Sequence, residues 1–383
     1  MGEPAAGSWV TTIDNAKAFL PNPLPRSFTF SPPLVRLLAE CSAELGGLSA
    51  LSTSSMSSPL HLMLQGTLLR REATASSRIE GTRTDLGQLL LFEATKEVSD
   101  PSGDAGEVAN YVHALEYGLS RPKDRPISLQ FIRELHVILL HDVRGADLRP
   151  GEFRSVQNWI GHSGGIERAR YVPPPPEHVQ SLLEDLVRFV GDPPAEMPPL
   201  VRIALVHYQY EAIHPLLDGN GRSGRLLVVL LLIKWGLLAG PHLTISELLE
   251  ERRQGYIDGL RAVSTEGDLD GWVTFFLDAV GEQARRDRRR FEQLIELREQ
   301  WRTAYQSARS ITLLQMIDVM IGRPIFSARQ VVERLGFTHR AVQRAIDQLL
   351  VDGVLREVTG QQRNRVYAAD EVLAIVSPVT GRG

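Results

Sequence analysis

The sequence predicts a mainly helical protein with one β-hairpin and a small C-terminal module of helices and strands. Three observations support this fold class. Apolar side chains recur at helical spacing over long stretches of the 383-residue chain. Two short extended runs flank a glycine pair at 164–165 and stop at four prolines, 173–176, which is typical of a hairpin with a blunt end. Near the C-terminus, two short amphipathic helices precede extended runs at 354–360 and 363–367.

Composition limits the class of protein. The length suffices for two or three domains. The net charge of −4, from 42 basic and 46 acidic residues, gives no overall attraction to nucleic acid. The single cysteine, Cys41, excludes an internal disulfide framework and a thiolate zinc cluster. The N-terminal stretch has no signal-peptide pattern, and the apolar segments near 200–214 and 226–238 are too short or interrupted for membrane spans. We therefore expect a soluble, cytoplasmic protein with no membrane partner.

The first helix with a distinctive pattern covers residues 67–82 and is predicted to end at Gly81. Ser76 and Glu80 are four residues apart and share one of its faces. A glutamate at a helix C-terminus is unfavourable against the helix dipole unless a cation lies beside it. Taken alone, the residues favour a solvated surface glutamate.

Further helices follow in the middle of the chain. A short helix is predicted from Glu107 to Leu119 within a segment rich in Asp, Gly, Pro and Ser. Ser128 is a candidate N-cap for the next helix, which places an apolar residue at every fourth position. Another helix begins after the four prolines, and its predicted core residues are Val179, Leu182, Leu183 and Leu186.

The most informative stretch, His214 to Arg225, lies at a break between two apolar helices. The segment 200–213 is predicted to be a buried helix, and Pro215 disfavours helical geometry at His214. A second buried helix covers 226–235. Between them, Gly219 and Gly221 permit a tight connection and a close approach of a ligand to the backbone. Unpaired amides at the start of the second helix favour an anion.

The polar side chains of this break are suited to phosphate chemistry. Arg222 and Arg225 are three apart and are predicted to share one face of the helix, where guanidinium groups match phosphate oxygens. Asp218 offers a carboxylate for Mg²⁺, and His214 can accept a proton near neutral pH. These residues indicate attack of a hydroxyl on a nucleotide phosphate. The alternative, a glycine-rich loop with solvated charges, explains fewer of the residues.

The same stretch resembles the signature of the Fic family, with Leu216 in place of the usual Phe. The resemblance implies a helical bundle with a hairpin flap, and AMP transfer from ATP to a Ser, Thr or Tyr hydroxyl of a protein. It implies the following roles: His214 as general base, Asp218 as Mg²⁺ ligand, Asn220 on the α-phosphate, the backbone of Gly219 and Gly221 in the anion hole, Arg222 on phosphate and Arg225 on the γ-phosphate.

The resemblance also suggests a meaning for three other segments. Ser76 and Glu80 match an inhibitory helix whose glutamate pairs with the last signature arginine, Arg225, and blocks the γ-phosphate space. Residues Ile160 to Val172 match the flap that clamps a target segment by strand addition, although a solvent loop is a serious alternative. Tyr256 would border the adenine. The preceding Gly255 departs from the family, and a lone aromatic is otherwise a core residue.

Two C-terminal segments follow. Residues 281–310 are predicted to form a charged linker helix with solvated arginines. Helices at 327–335 and 339–350, a turn at 336–338 and the two extended runs resemble a winged-helix module. Outward residues on the second helix and the wing would be Arg340, Gln343, Arg344, Arg363 and Arg365. DNA binding through 327–367 and protein docking or dimerisation are equally favoured.

The predicted organisation is an N-terminal helical region with the inhibitory helix (1–100), a Fic core (101–280), the linker helix (281–310) and the winged helix (311–383). The leading hypothesis is an autoinhibited adenylyltransferase that uses ATP and Mg²⁺, acts on proteins including itself, and has AMP removal as an open second activity. Alternatives are a nucleotide-sensing DNA-binding regulator and the transfer of another phosphate-linked group. The intact His214 argues against pure sensing, which needs no base. A homodimer is a further expectation.

Overall fold

The computed structural model describes residues 6–54, 59–95, 103–122, 124–161 and 165–377. The N-terminal elements are a two-stranded hairpin and three helices: β1 (Gly7–Thr11), β2 (Lys17–Pro21), α1 (Pro32–Ser54), α2 (Pro59–Ile79) and α3 (Leu86–Thr95). The central elements are α4 (Asp104–Ser120), α5 (Leu129–Leu139), a 3₁₀ turn (Ile166–Arg168), α6 (Pro176–Gly191), α7 (Pro199–Ile213), α8 (Asn220–Lys234), α9 (Ile245–Glu251), α10 (Arg253–Glu266) and α11 (Leu269–Ala304).

The C-terminal elements follow a second 3₁₀ turn (Gln306–Ala308) and are α12 (Ile311–Gly322), β3 (Ile325–Ser327), α13 (Ala328–Leu335), α14 (His339–Val351), β4 (Arg356–Glu357), β5 (Val366–Ala368) and α15 (Asp370–Val376). The mainly helical prediction is confirmed. Within the described parts of the chain, no helix has both the length and the apolar character that a membrane span requires.

Helices α7 and α8 form the centre of the molecule. Nearly every residue of both helices is buried, because other helices pack around them on all sides. Leu205 and Leu232 are fully enclosed. The predicted N-cap on α5 is present, since Ser128 Oγ accepts a hydrogen bond of 3.2 Å from the Phe131 amide. This rigid pair of helices holds the connection between residues 213 and 220 in place.

The segment predicted as the flap pairs its ends. Among its described residues, 160–161 and 165–172, a single antiparallel bridge joins Ile160 to Tyr171, with the Ile160 amide 2.8 Å from the Tyr171 oxygen. Residues 162–164, including part of the predicted glycine turn, lie outside the described residues. A ladder does not continue beyond Tyr171, because Val172 O instead accepts the Phe19 amide of β2 at 2.9 Å. The N-terminal hairpin, which the sequence analysis did not anticipate, therefore supports the base of the flap.

The charged segment predicted as a linker at 281–310 is part of a longer element. Helix α11 begins at Leu269, inside the core, and runs without interruption to Ala304. Four of the five clustered arginines are paired with other elements: Arg285 contacts Glu44 at 3.1 Å, Arg290 contacts Glu247 at 2.9 Å, and Arg286 and Arg288 also form ion pairs, whereas Arg289 is exposed. The basic run therefore fixes α11 against its neighbours.

The C-terminal module confirms the predicted helix-turn-helix. Helices α13 and α14 are joined at Gly336, whose φ of 71° provides the left-handed turn. The wing strands β4 and β5 are present, and β3 adds a third strand in the order β3-β5-β4. The four predicted arginines at 340, 344, 363 and 365 are exposed, while Gln343 is half-buried.

Helix α2 contacts this C-terminal module directly. Thr67 Oγ1 donates a hydrogen bond of 2.6 Å to the Gly322 oxygen at the end of α12. Glu93 of α3 accepts from Arg70 of α2 and from Arg323, each at 2.7 Å. One helix thus runs from the winged helix to the break between α7 and α8.

Candidate active site

The break begins at a strained residue. His214 caps α7 with φ 48° and ψ 59°, a left-handed conformation that a non-glycine residue adopts only where neighbours hold it. Arg154, 3% exposed, holds it by donating from Nε to the His214 oxygen at 2.9 Å. Asn158 donates to the Leu216 oxygen at 3.0 Å. The segment before the flap is therefore a scaffold for the break.

Asn220 closes the loop internally. Its Oδ1 accepts the Leu216 amide and its Nδ2 donates to the Leu216 oxygen, both at 2.8 Å. Asn220 is 3% exposed, and Leu216 is fully buried beneath the loop. Asn220 thus shapes the loop backbone, whereas the family resemblance implies a position on the α-phosphate.

A cavity of about 710 Å³ opens beside the loop. It brings together five residues that were predicted from the sequence: Glu80, His214, Arg225, Tyr256 and Gly221, which lies in the first turn of α8. The flap residues Ile160 and Tyr171 border the same cavity. A base, a cation, a carboxylate and an exposed backbone edge therefore share one pocket.

Glu80 contacts Arg225 inside this pocket. Arg225 Nη2 donates to Glu80 Oε1 at 2.6 Å, while Nε and Nη2 also donate to Ser76 Oγ and the Ser76 oxygen, each at 2.9 Å. The Arg225 side chain is 1% exposed and that of Glu80 is 35% exposed. Burial opposes ionisation of Glu80, but Arg225 outweighs it and holds the pKa of this carboxyl below its usual range.

The Glu80 carboxylate lies against bare backbone. A Cβ built at Gly221 would lie 2.1 Å from Glu80 Oε1. Gly221 is in the first turn of α8, where backbone amides have no intrahelical acceptor and attract an anion. The glutamate therefore occupies space that a phosphate oxygen would favour.

Arg222 does not join Arg225 on the wall of this cavity. Its guanidinium is 1% exposed, and Nη1 donates to Glu107 Oε2 of α4 at 2.9 Å. The two guanidiniums predicted to share one face are therefore paired with different acids: Arg222 with Glu107 of α4, and Arg225 with Glu80, the residue after the end of α2. Glu107, whose pKa burial raises despite Arg222, is a site neighbour that the sequence analysis missed.

Asp218 lies on the side of the loop near Arg222. Its Oδ1 accepts the Gly219 amide at 2.6 Å and lies 3.8 Å from Arg222 Nη2. The described residues contain no group of three or more His, Cys, Asp or Glu side chains that could hold a metal ion. A single carboxylate suits Mg²⁺ only when substrate phosphates complete the ligand set, which is the usual way this ion binds.

His214 is available as a base. Burial lowers its pKa to about 4, so the imidazole is neutral at neutral pH. Nδ1 lies 3.3 Å from the Glu211 oxygen, which only accepts, so Nδ1 carries the proton. Nε2 is thereby left with a lone pair that can accept a proton.

Tyr256 forms part of the opposite wall. It is 4% exposed, its hydroxyl lies 2.8 Å from His207 Nε2, and the two rings stack at 5.8 Å with an angle of 8°. The residue is anchored in the core and still borders the cavity. Tyr256 is therefore both a core aromatic and part of the wall of the cavity.

The sequence matches two models of one family. The Fic/DOC family model matches residues 126–232, and the Fic/DOC family N-terminal model matches residues 35–120. Together these matches span about half of the chain, and they include the loop, α2 and the Glu80 contact. The chain belongs to the Fic/DOC family. A third model, described as an HTH DNA binding domain, matches residues 313–368.

The chain is also similar to curated proteins over about half of its length. The chain is 30% identical over 204 residues to "Protein adenylyltransferase Fic" of Drosophila ananassae, covering 52% of this chain and 38% of that one. It is 31% identical over 204 residues to "Protein adenylyltransferase fic-1" of Caenorhabditis elegans, covering 51% and 37%. The matched segment is thus under two fifths of each relative.

The fold is shared with a Fic family protein from Desulfovibrio desulfuricans, with a TM-score of 0.57 and 23% identity over 89% of this chain and 97% of that one. A Fic-1 segment from C. elegans gives a TM-score of 0.56 and 21% identity, covering 70% and 75%.

Proposed function

We propose that this protein transfers AMP from ATP to hydroxyl groups of proteins, including its own, and that Glu80 restrains the reaction. The observation that carries the proposal is the shared cavity in which His214, Arg225, Gly221 and Glu80 meet. The names of the relatives support it, since both are called protein adenylyltransferases.

The chemistry follows from the positions of the side chains. His214 Nε2 accepts the proton of the target hydroxyl, and that oxygen forms a bond to the α-phosphorus of ATP. The bond from the α-phosphorus to the bridging oxygen breaks, and pyrophosphate leaves. Arg225 and the backbone amides near Gly221 hold phosphate charge once Glu80 moves away. Tyr256 borders the space for the adenine.

Asp218 is the proposed Mg²⁺ ligand, because it supplies a carboxylate within the loop, where the Gly219 amide holds its Oδ1 at 2.6 Å. Magnesium bound with the nucleotide would neutralise phosphate charge. Arg222 acts in this proposal through the loop: it holds Glu107 and lies beside Asp218.

Glu80 is the proposed brake. Its carboxylate holds the guanidinium needed for the γ-phosphate, so ATP binds productively only after this pair separates. Ser76 also holds Arg225, through hydrogen bonds to its hydroxyl and carbonyl oxygens that are separate from the contact with Glu80. Removal of AMP from a modified target is the second activity that the same glutamate would support.

The flap is the proposed docking edge for the target protein. Ile160 is 37% exposed and borders the cavity, and its bridge to Tyr171 aligns an extended backbone beside His214. An extended target segment that adds to this edge would bring a hydroxyl to the base. A cytoplasmic location and self-association belong to the same proposal.

A second candidate function is nucleotide-sensitive DNA binding. Four exposed arginines on α14 and the wing favour it, and the C-terminal segment matches a DNA-binding model. Phosphate contacts by Arg340, Arg344, Arg363 and Arg365 would give binding that weakens steeply with salt. A gel-shift series with the full chain at rising salt separates DNA binding from protein docking.

Labelled ATP tests the main proposal. The purified chain is incubated with ATP labelled at the α- or the γ-phosphate, and self-modification is read on a gel. Label from the α-position alone supports AMP transfer, and label from the γ-position shows kinase chemistry instead. If the Glu80→Gly variant binds ATP and incorporates neither label into itself or into a cell extract, the proposed transferase activity is wrong.

A further inference from the structure

His136 is a buried imidazole that no step of the proposed reaction uses. It lies on α5 and is fully buried. Its Nδ1 accepts a hydrogen bond of 3.0 Å from the Gly151 amide, and its Nε2 lies 3.1 Å from the Asp218 oxygen. An amide only donates and a carbonyl only accepts, so the two partners assign the proton to Nε2.

The two partners belong to different functional segments. Gly151 precedes the scaffold in which Arg154 holds the His214 backbone. Asp218 carries the carboxylate proposed for Mg²⁺. His136 therefore bridges the segment that fixes the base and the segment that carries the metal ligand.

The Asp218 side of this bridge is closely packed. A Cβ at Gly145 would lie 2.7 Å from Asp218 Oδ2, and the Gly219 amide holds Oδ1 at 2.6 Å. A Cβ at Gly219 would lie 3.6 Å from His136 Cδ2. The Gly219 amide thus holds the carboxylate of Asp218, the backbone of Gly145 lies close to it, and His136 holds the backbone carbonyl of the same residue.

We propose that His136 is a positioning residue that sets the orientation of Asp218 toward a nucleotide-bound Mg²⁺ through its Nε2–H hydrogen bond to the Asp218 carbonyl. This inference rests on the proposed function of Asp218. A free loop carbonyl would let residues 217–219 rotate, and the carboxylate would lose its fixed direction. Such a loss lowers the contribution of the metal to nucleotide affinity and leaves the metal-independent contacts of ATP intact.

Two substitutions each keep one of the two hydrogen bonds of His136 and remove the other. In His136→Gln, the side-chain amide nitrogen takes the position of Nε2 and donates to the Asp218 carbonyl. In His136→Asn, the amide oxygen takes the position of Nδ1 and accepts from Gly151, while the Asp218 partner is lost. A merely structural role would make both variants equally defective.

The experiment is calorimetric titration of the full chain carrying Glu80→Gly, which serves as the parent chain here because ATP binds productively only without the Glu80–Arg225 pair; the ligand is an ATP analogue whose α–β bridge cannot be cleaved, in Mg²⁺ and in EDTA. The readout is the gain in affinity that Mg²⁺ provides. We expect His136→Asn to lower this gain about 3- to 10-fold with affinity in EDTA unchanged, as for the loss of one buried hydrogen bond. His136→Gln should stay within about twofold of the parent chain.

The outcomes separate the two proposals. If Asp218→Asn leaves the Mg²⁺ gain unchanged, the metal role of Asp218 is wrong and the inference fails with it. If Asp218→Asn abolishes the gain but His136→Asn keeps it, or both His136 variants lose it equally, only the positioning role is wrong. Should His136→Asn not fold, nitrogen-15 NMR of the parent chain decides: a proton on Nδ1 rather than Nε2 overturns the inference.

Discussion

The contact between Glu80 and Arg225 leads to a quantitative prediction for Glu80→Gly. The 2.6 Å hydrogen bond joins two charged groups, and such bonds contribute about 1.5–3 kcal/mol. The Glu80 side chain is 35% exposed, so solvent screening places the contribution near the lower end, about 1.5–2 kcal/mol. Productive ATP binding must overcome this amount, and removing it should raise kcat/KM about 10- to 30-fold.

The assay is incorporation of label from α-labelled ATP by the full chain, with rates measured over a range of ATP concentrations. Glu250→Gln is the matched control. It breaks the Arg78–Glu250 pair, which also ties α2 to α9 at 2.8 Å, without touching Arg225. The control should remain within about twofold of the parent chain, because neither Arg78 nor Glu250 lines the cavity. Equal rates for Glu80→Gly and the parent chain would refute the brake.

Three further predictions concern the base and its support. His214→Ala should lower AMP incorporation at least ~100-fold while calorimetry shows ATP affinity within about threefold, since a general base contributes roughly 10²–10⁴ to rate. Because burial lowers the pKa of His214 to about 4, the base is unprotonated above that value, so the rate of the Glu80→Gly variant should be flat from about pH 6 to 8 and fall only near pH 4–5. Arg154→Met leaves the buried carbonyls of His214 and Pro174 without their donor. The free energy of unfolding should fall by about 1–3 kcal/mol, which lowers Tm by several degrees in calorimetric scans. In the same variant kcat should fall by a larger factor than KM rises.

Each of these expectations has a contradicting result. Undiminished labelling by His214→Ala would remove the imidazole from the mechanism. A rate that rises with a midpoint near pH 6.5 would mean that His214 titrates like a solvated histidine. If the Arg154→Met variant keeps the Tm and the rate of the parent chain, the left-handed conformation of His214 does not depend on Arg154.

Local features of the site could be predicted from the sequence. The break between two apolar helices, the turn at Pro215 and the four-residue spacing of Ser76 and Glu80 are all set by neighbours in sequence. The same holds for α13 and α14, whose capping residues Ser327 and Thr338 directly precede them.

Contacts between distant residues could not be predicted in this way. Arg222 is paired with Glu107, which lies 115 positions earlier in the sequence. The three-residue spacing of Arg222 and Arg225 could not indicate that each contacts a different acid. His136 has no motif around it, and its role follows only from the packing of α5 beneath the loop. The β1–β2 hairpin is weakly indicated in the sequence by Asn15, which lies in its turn. Asparagine tolerates the positive φ, here 56°, that this turn requires.

The attachment of α2 to the winged helix has a practical consequence for anyone who dissects the chain. Leu68 of α2 and Leu86 and Leu90 of α3 share one apolar cluster with the C-terminal helices. A fragment ending before residue 311 would expose these leucines and deprive Thr67 of its acceptor, about 20 Å along the helix axis from Glu80, which contacts Arg225. Higher activity of such a fragment could then come from local unfolding of α2 and not from the loss of the Glu80–Arg225 contact itself. Point variants should therefore be compared in the intact chain.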